Sequence, residues 1–375
     1  MRTRILWIDI IKSFAIFTVV LGHMISCEAF ASQVGVDVYN EFILAFHMPL
    51  FTILSGWFFS TKRDVIDFVK VKSSSILLPY IVWCAVWFFI SPIMSMMISG
   101  QELHVSSIIW QMKYFLNDAL CCYGWWFLRG LFFTMILAYL SVKFAELCGK
   151  KIKEHAYAWG GTVSCIILYV LCFCGVVPNQ PVKDSLFKGF IYMYPFFWSG
   201  YLLRLMWERK QEALGSAKWI FGMSIFFVGL LFVWDGIKDP FYGMNTSALE
   251  VSGANGVFGA EVVYRTIFRL FIGVVGSFAF ILVFSKLFAK ESRNKLRVFS
   301  QNIGKETLGI YILQSLVYWS LPKYDIFGWG EWGNFMFAVV LSFVIVVVSY
   351  FIIRLTSQNK WLGLVLWGKS FEKRN

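Results

Sequence analysis

Apolar residues in this chain come in blocks of roughly twenty, separated by shorter polar segments. A helix rising 1.5 Å per residue needs about that many apolar positions to cross about 30 Å of hydrocarbon. The pattern predicts helices near residues 5–26, 40–60, 77–99, 124–145, 157–177, 188–206, 218–235, 264–286, 304–321 and 334–356. The expected fold is all-α: a polytopic membrane protein of about ten transmembrane helices. Residues 1–356 are expected to form one transmembrane domain and 357–375 a cytosolic tail. Within that tail, the run from Lys360 to Trp367 is too short to span and suits an interfacial anchor with Trp at the headgroups.

The segments between the apolar blocks alternate in charge. One set carries most of the Lys and Arg, including Arg2 and Arg4; Lys62, Arg63, Lys70 and Lys72; Lys143 to Lys153; Arg204 to Lys218; Lys286 to Lys305; and Arg354 onward. The other set is nearly bare: 27–39 has no basic residue, and 100–123, 178–187, 236–263 and 322–333 hold only Lys113, Lys183, Lys238 and Lys323. Basic residues gather on the cytosolic side of a membrane, so both termini are expected in the cytosol, with an even number of helices between them. Two of the outer segments are long, 100–123 with Glu102, His104 and Asp118, and 236–263 with Asp239, Glu250 and Glu261. Loops of that length are commonly functional, and here they suit either a polar acceptor surface or a solvated lid.

Composition fits a chain whose solvent is the bilayer. Of its 375 residues 58% are hydrophobic and 15% charged, against about 25% charged in soluble domains. The net charge of +12 sits in short connecting segments and forms no basic tail or recognition helix, which argues against nucleic acid. Cys84, Cys165, Cys172 and Cys174 fall in apolar spans, Cys121 and Cys122 are adjacent, and no spacing suggests a disulfide framework or a metal site. Arg2, Arg4, the apolar run after Ser13 and Ala29-Phe30-Ala31 imitate a secretory signal, but Asp9 and Lys12 interrupt the apolar segment that leads into that run. An uncleaved first helix is expected.

That first helix carries the chemistry. Lys12 and His23 are eleven residues apart, which is three turns plus about 20°, so both face one side with about 16 Å between them along the axis. Asp9 lies one turn below Lys12, placed to neutralise it. Polar groups at membrane depth face a bundle interior or a wet cavity, so this stripe joins a cytosolic ammonium to an outer imidazole. The second helix runs inward and puts His47 at a comparable depth, next to Pro49, which frees a backbone carbonyl. Arg129 lies in the outer half of the fourth helix. Each has a plainer reading: His23 bonded to a carbonyl at the interface, His47 a structural partner of His23 or of the kink, Arg129 snorkelling outward or paired with Glu41, and Lys12 snorkelling to the headgroups.

The stretch Trp7-Ile8-Asp9-Ile10-Ile11-Lys12 followed by Val19-Val20-Leu21-Gly22-His23 resembles the opening signature of the acyltransferase 3 family, a basic residue, ten others, then His. Phe46-His47-Met48-Pro49-Leu50-Phe51 with Ser55-Gly56 resembles the second signature, and Trp126-Phe127-Leu128 a third. Ser199-Gly200-Tyr201-Leu202-Leu203 and the run from Gly304 to Leu313 resemble later segments, so the likeness covers nearly the whole chain in order. Lys12 stands where the family commonly has Arg, keeping charge but losing the fork. Lys70 and Lys72 followed by Ser73-Ser74-Ser75 replace an Arg-rich approach to the third helix, and Gln314 stands where many members have His.

The resemblance implies an O-acyltransferase of a bacterial inner membrane that moves an acetyl or other short acyl group from cytosolic acyl-CoA to a hydroxyl of an extracytoplasmic glycan or glycolipid. In that scheme Asp9, Lys12, Lys70 and Lys72 serve the donor, whose phosphates the basic groups attract. His23 is the general base, or forms a transient acyl-imidazole, with His47 beside it. Arg129, Trp126, Tyr311 and Gln314 serve the acceptor or the oxyanion. Acetyl-CoA is a substrate, and no metal or tightly bound cofactor is called for. The partners are the acyl-CoA donor, the glycan or glycolipid and membrane lipid, without nucleic acid; a homo-oligomer is left open. Two other classes fit the intramembrane charges, a transporter or flippase of a polysaccharide precursor and a non-catalytic partner in polysaccharide assembly.

Overall fold

The computed structural model describes residues 6–99, 125–148, 156–174, 181–234, 260–289, 294–321, 325 and 328–369, and contains helices and no strand among them. The expected outer segments 100–123 and 236–263 lie outside the described residues, apart from the helical start of the latter's last turn at Ala260.

Helix α1 (Leu6–Ile25) is the hub. Its most apolar stretch is 72% buried, and Ile8, Ile11, Ile16, Val20 and Met24 are fully enclosed. A helix buried on most of its sides, with its few polar groups turned toward the protein interior, belongs inside the bundle. Around it pack α3 (Leu44–Trp57), α10 (Ala260–Leu287), α11 (Lys295–Gly304), α12 (Thr307–Ser320) and α13 (Gly330–Thr356). The short α2 (Gln33–Val38), capped by the Ser32 hydroxyl, enters α3 through a π turn at Tyr39–Ile43. Helix α4 (Val65–Lys72), capped by Asp64, continues through a second π turn at Ser73–Leu77 into α5 (Leu78–Ser99). Helix α6 (Trp126–Cys148) is flanked by α7 (Ala156–Phe173) and α8 (Pro181–Leu214). Helix α9 (Ala217–Leu231) follows α8 at a bend of 114° and packs on α10.

Each of the ten expected segments is helical, but length separates them. Among the described residues six helices are long and apolar enough to cross a membrane, or seven when the bent α8–α9 pair counts as one span. The apolar part of α7 (Trp159–Phe173) and the 14-residue α12 are shorter than a full crossing. Helix α11 was expected as a loop. It is a two-sided surface helix whose Ile303 and Gly304 turn inward while Lys295, Leu296 and Val298 stay exposed.

Two crossings are closed at backbone distance, at three glycines. A Cβ on Gly56 of α3 would lie 1.8 Å from the Phe197 carbonyl oxygen of α8, and one on Gly200 would lie 2.0 Å from that of Ile53. Where α11 meets α1, a Cβ on Gly304 would lie 1.8 Å from the Asp9 carbonyl oxygen. Apolar side chains gain little from leaving lipid, so membrane helices associate through close packing of small residues. All three glycines sit in the motifs that resemble family segments.

The tail helix α14 (Lys360–Trp367) is docked on protein by one side. Trp367 is buried, its ring 5.4 Å from that of Trp83, and its Nε1 donates to Thr356 Oγ1 at 2.8 Å. Trp361 on the other side is exposed. The helix ends on Gly368 at φ +65°, where a Cβ would lie 2.2 Å from the Ser75 carbonyl oxygen, and Lys369 Nζ then reaches Glu306 Oε2 at 2.7 Å. A Gly368→Val substitution fails on both counts, backbone and space, at a cost of about 1–3 kcal/mol for the backbone alone. The expected result is an undocked tail, read as faster tryptic cleavage at Lys360 in membrane vesicles with the rest of the chain intact.

Candidate functional site

A cavity of about 310 Å³ lies between α1, α3, α6 and α12, with Lys72 and Ile76 closing one side. Each helix contributes residues at helical spacing. Helix α1 gives Lys12, Ile16 and Val19; α3 gives Met48, Phe51, Ser55 and Phe58; α6 gives Leu128, Leu131 and Met135. Helix α12 opens onto it with Thr307, Leu308 and Tyr311. The lining holds two lysines, Lys12 and Lys72, with Ser55, Thr307 and Tyr311 the other polar groups among otherwise apolar side chains. Lys12 Nζ rests 4.6 Å from the centroid of the Phe58 ring and Lys72 Nζ 5.8 Å from that of Phe68. Such contacts favour a cation over the face of an aromatic ring.

His23 continues the face that Lys12, Ile16 and Val19 present. It lies four residues past Val19, one turn or about 6 Å beyond the last α1 residue that lines the cavity. Its ring is half-buried and meets that of Tyr318 edge-on at 5.3 Å. His47 is buried, and its Nδ1 donates to the Ile43 carbonyl at 2.8 Å. A carbonyl only accepts, so the hydrogen sits on Nδ1, and Nε2 is the basic nitrogen of the neutral ring. Tyr39 joins the two histidines' helices: its ring packs where a Cβ on Gly22 would lie, 2.7 Å from Cε2, and stands 5.9 Å from the His47 ring. It is placed there by the π turn, a distortion frequent at functional sites.

The other expected residues divide. Tyr311 lines the cavity, its ring 5.6 Å from Phe127. Asp9 is buried, with its carbonyl against Gly304. Lys70 is exposed and Lys72 lines the cavity; two residues apart on a helix, they point about 160° from each other. Arg129 is buried, but the cavity face of α6 is Phe127, Leu128, Leu131 and Met135, and Arg129 falls off it. Trp126 is half-buried near Tyr192, ring centroids 6.5 Å apart. Gln314 is fully buried, and its Nε2 donates to the Tyr311 carbonyl at 3.1 Å and to Ser315 Oγ at 2.9 Å. It is engaged within its own helix.

Sequence reasoning passed over Arg269. This side chain is fully buried in α10, and its Nη2 donates to the Tyr192 hydroxyl at 2.9 Å. Its guanidinium lies 5.1 Å from the Trp234 ring, and it acts electrostatically on His47. A charge well inside an expected span was the available signal. Tyr39 and Tyr318 carried none, since a tyrosine near a helix end reads as an interfacial residue.

The acyltransferase 3 family model, described as an acyltransferase domain, matches residues 5–354. Two relatives match over most of the chain. A protein named Nodulation protein NolL from Mesorhizobium japonicum is 24% identical over 93% of this chain and 86% of its own length. A second Nodulation protein NolL, from Sinorhizobium fredii, is 23% identical over 84% of this chain and 79% of its own. No solved structure matches.

Proposed function

The chain belongs to the acyltransferase 3 family and is an acyltransferase with membrane-spanning helices; from that premise we propose that it carries a short acyl group, acetyl first among them, from cytosolic acyl-CoA to a hydroxyl of an extracytoplasmic glycan or glycolipid. The observation that carries this reading is the cavity: two ammoniums in a mostly apolar lining, and His23 one turn past its α1 wall. In this reading ten helices cross the inner membrane of a bacterium and both termini are cytosolic, in keeping with the alternation of basic segments.

The donor's phosphates meet Lys12 and Lys72, and the pantetheine arm runs up the cavity between α1, α3 and α6. The acceptor hydroxyl attacks the thioester carbonyl while His23 takes its proton. The C–O bond forms, the C–S bond breaks, and the departing thiolate receives the proton from the imidazolium. An imidazole suits both transfers because its ordinary pKa lies near neutral pH. His47 Nε2, Tyr39 and Arg269 surround the acceptor side and orient the hydroxyl or the developing oxyanion.

Protein reconstituted in proteoliposomes, given labelled acetyl-CoA and candidate glycans, is expected to label the glycan. Lys12→Met is expected to raise the donor KM about ten- to hundredfold, the worth of one charge-assisted hydrogen bond, with kcat within about twofold. Lys12→Arg is expected to keep the donor KM near wild type. A protein that moves glycan without acylating it, or an unchanged KM in Lys12→Met, overturns the reading.

A further inference from the structure

Arg204 sits in α8 just past the Ser199–Leu203 motif, and by sequence it groups with the basic residues of a cytosolic segment. In the fold it is 8% exposed, tucked under the end of α3. Its Nη1 donates to the Trp57 carbonyl at 3.1 Å and to the Phe59 carbonyl at 2.6 Å. Its Nε lies 3.7 Å from Glu208 Oε1, and the guanidinium covers the Tyr201 ring at 5.0 Å. The last carbonyls of a helix have no partner within it. At the end of α3 one buried guanidinium satisfies two carbonyls from outside the helix.

Those two carbonyls flank Phe58. Its backbone, at φ −90° and ψ 0°, is where α3 ends, and the chain closes there with Phe59 N–H donating to the Gly56 carbonyl at 3.0 Å. Phe58 and Phe59 both line the cavity, and the Phe58 ring is the surface on which the Lys12 ammonium rests. Behind the same turn, Trp57 clusters with Trp7 and Trp207 at ring distances of 5.9 Å each, and those two rings lie 5.7 Å apart. Contacts therefore run unbroken from the guanidinium to the turn, from the turn to the ring, and from the ring to the donor-facing amine.

We propose that Arg204 is a positioning residue for the acyl donor: by holding the Trp57 and Phe59 carbonyls it fixes the lip of the cavity and the Phe58 ring that orients Lys12. The inference rests on the donor reading of the cavity. It differs from simple helix capping in what it asks of the surviving protein. A cap that serves stability alone lowers the amount of folded enzyme and leaves the donor KM of the remainder unchanged. A positioning residue raises the donor KM, and does so only while Lys12 is present to be positioned.

The test is a double-mutant cycle on the full chain in proteoliposomes, with saturation curves in acetyl-CoA. Arg204→Gln keeps one donor group and loses the charge and the planar fork; it is expected to raise the donor KM roughly tenfold, with kcat within about twofold. Arg204→Lys is expected to recover part of that loss. In a Lys12→Met background either Arg204 substitution is expected to add less than about twofold, because coupled residues do not act independently. If Arg204→Gln does not accumulate, Arg204→Lys carries the cycle alone. Unchanged donor KM in the Arg204 variants, or effects that multiply with Lys12→Met, overturns the positioning role while the donor reading stands. A wild-type protein that transfers nothing from acetyl-CoA removes the donor reading, and this inference with it.

Discussion

Replacing His23 with alanine is expected to lower acyl transfer by about 10²–10⁴-fold, the usual contribution of a general base, with little change in the amount of protein in the membrane. The ring is half-buried and meets Tyr318 edge-on, so truncation removes little from the core around Ile16, Val20 and Met24. Because His23 lies beyond the cavity lining, the donor KM is expected to stay within about twofold, the signature of an interaction made only in the transition state. His23→Gln, which keeps polarity without basicity, is expected to be as inactive. Initial rates with labelled acetyl-CoA, normalised to protein per vesicle, decide the matter. Full transfer by His23→Ala removes the base assignment, and loss of rate together with loss of protein makes His23 a structural residue.

The second large effect is on folding. Gly56→Ala and Gly200→Ala each place a Cβ within about 2 Å of a carbonyl oxygen on the opposite helix, a distance no real contact approaches, and the obstacle is backbone with no rotamer to yield. Helices α3 and α8 then have to part by more than an ångström along their whole crossing. Overpacking of this kind costs about 1–3 kcal/mol or more per site, and the Gly56→Ala, Gly200→Ala double variant is expected to leave almost no monodisperse protein after mild detergent extraction. Gly222→Ala and Gly229→Ala are the controls, since nothing lies within 4 Å of a Cβ at either position. They are expected to melt at or slightly above the wild-type temperature, as an alanine in a helix normally does relative to glycine. Wild-type stability of Gly56→Ala contradicts the backbone contact.

These two results separate the kinds of information that the family-like motifs carry. Lys12, Tyr311 and the Phe46–Phe51 stretch bear on the cavity and the histidines, whereas Gly56, Gly200 and Gly304 are where helices touch. A motif in a row of letters mixes the two. The helix positions were legible because apolar length is a direct consequence of the hydrocarbon thickness. The face shared by Lys12 and His23 was legible because helical spacing is rigid.

What was missed depended on partners distant in sequence. Helix α4 and its π turn carry Lys70, Lys72 and three serines, which read as a connecting loop until Phe68 is seen packed on Tyr139 with ring centroids 4.4 Å apart. The 114° bend between α8 and α9 falls at Gly215 and Ser216, and its angle is not set by apolar length. Arg204 looked like one more cytosolic charge, since nothing local announces that the end of α3 will come to lie over it. Lys70 and Lys72 could have been told apart, because their spacing alone sends them to different faces.

The central claim is that the passage from Lys12 toward His23 holds the acyl donor. The most direct measurement is photolabelling with an acyl-CoA analogue that carries a diazirine on its acyl group, followed by peptide mapping. Label on the α1 segment from Ile16 to His23, or on Met48, Leu128 or Tyr311, competed by unlabelled acetyl-CoA and weakened by Lys12→Met, is the predicted result. Label confined to exposed surface residues, or label in the cavity that excess acetyl-CoA does not displace, contradicts it.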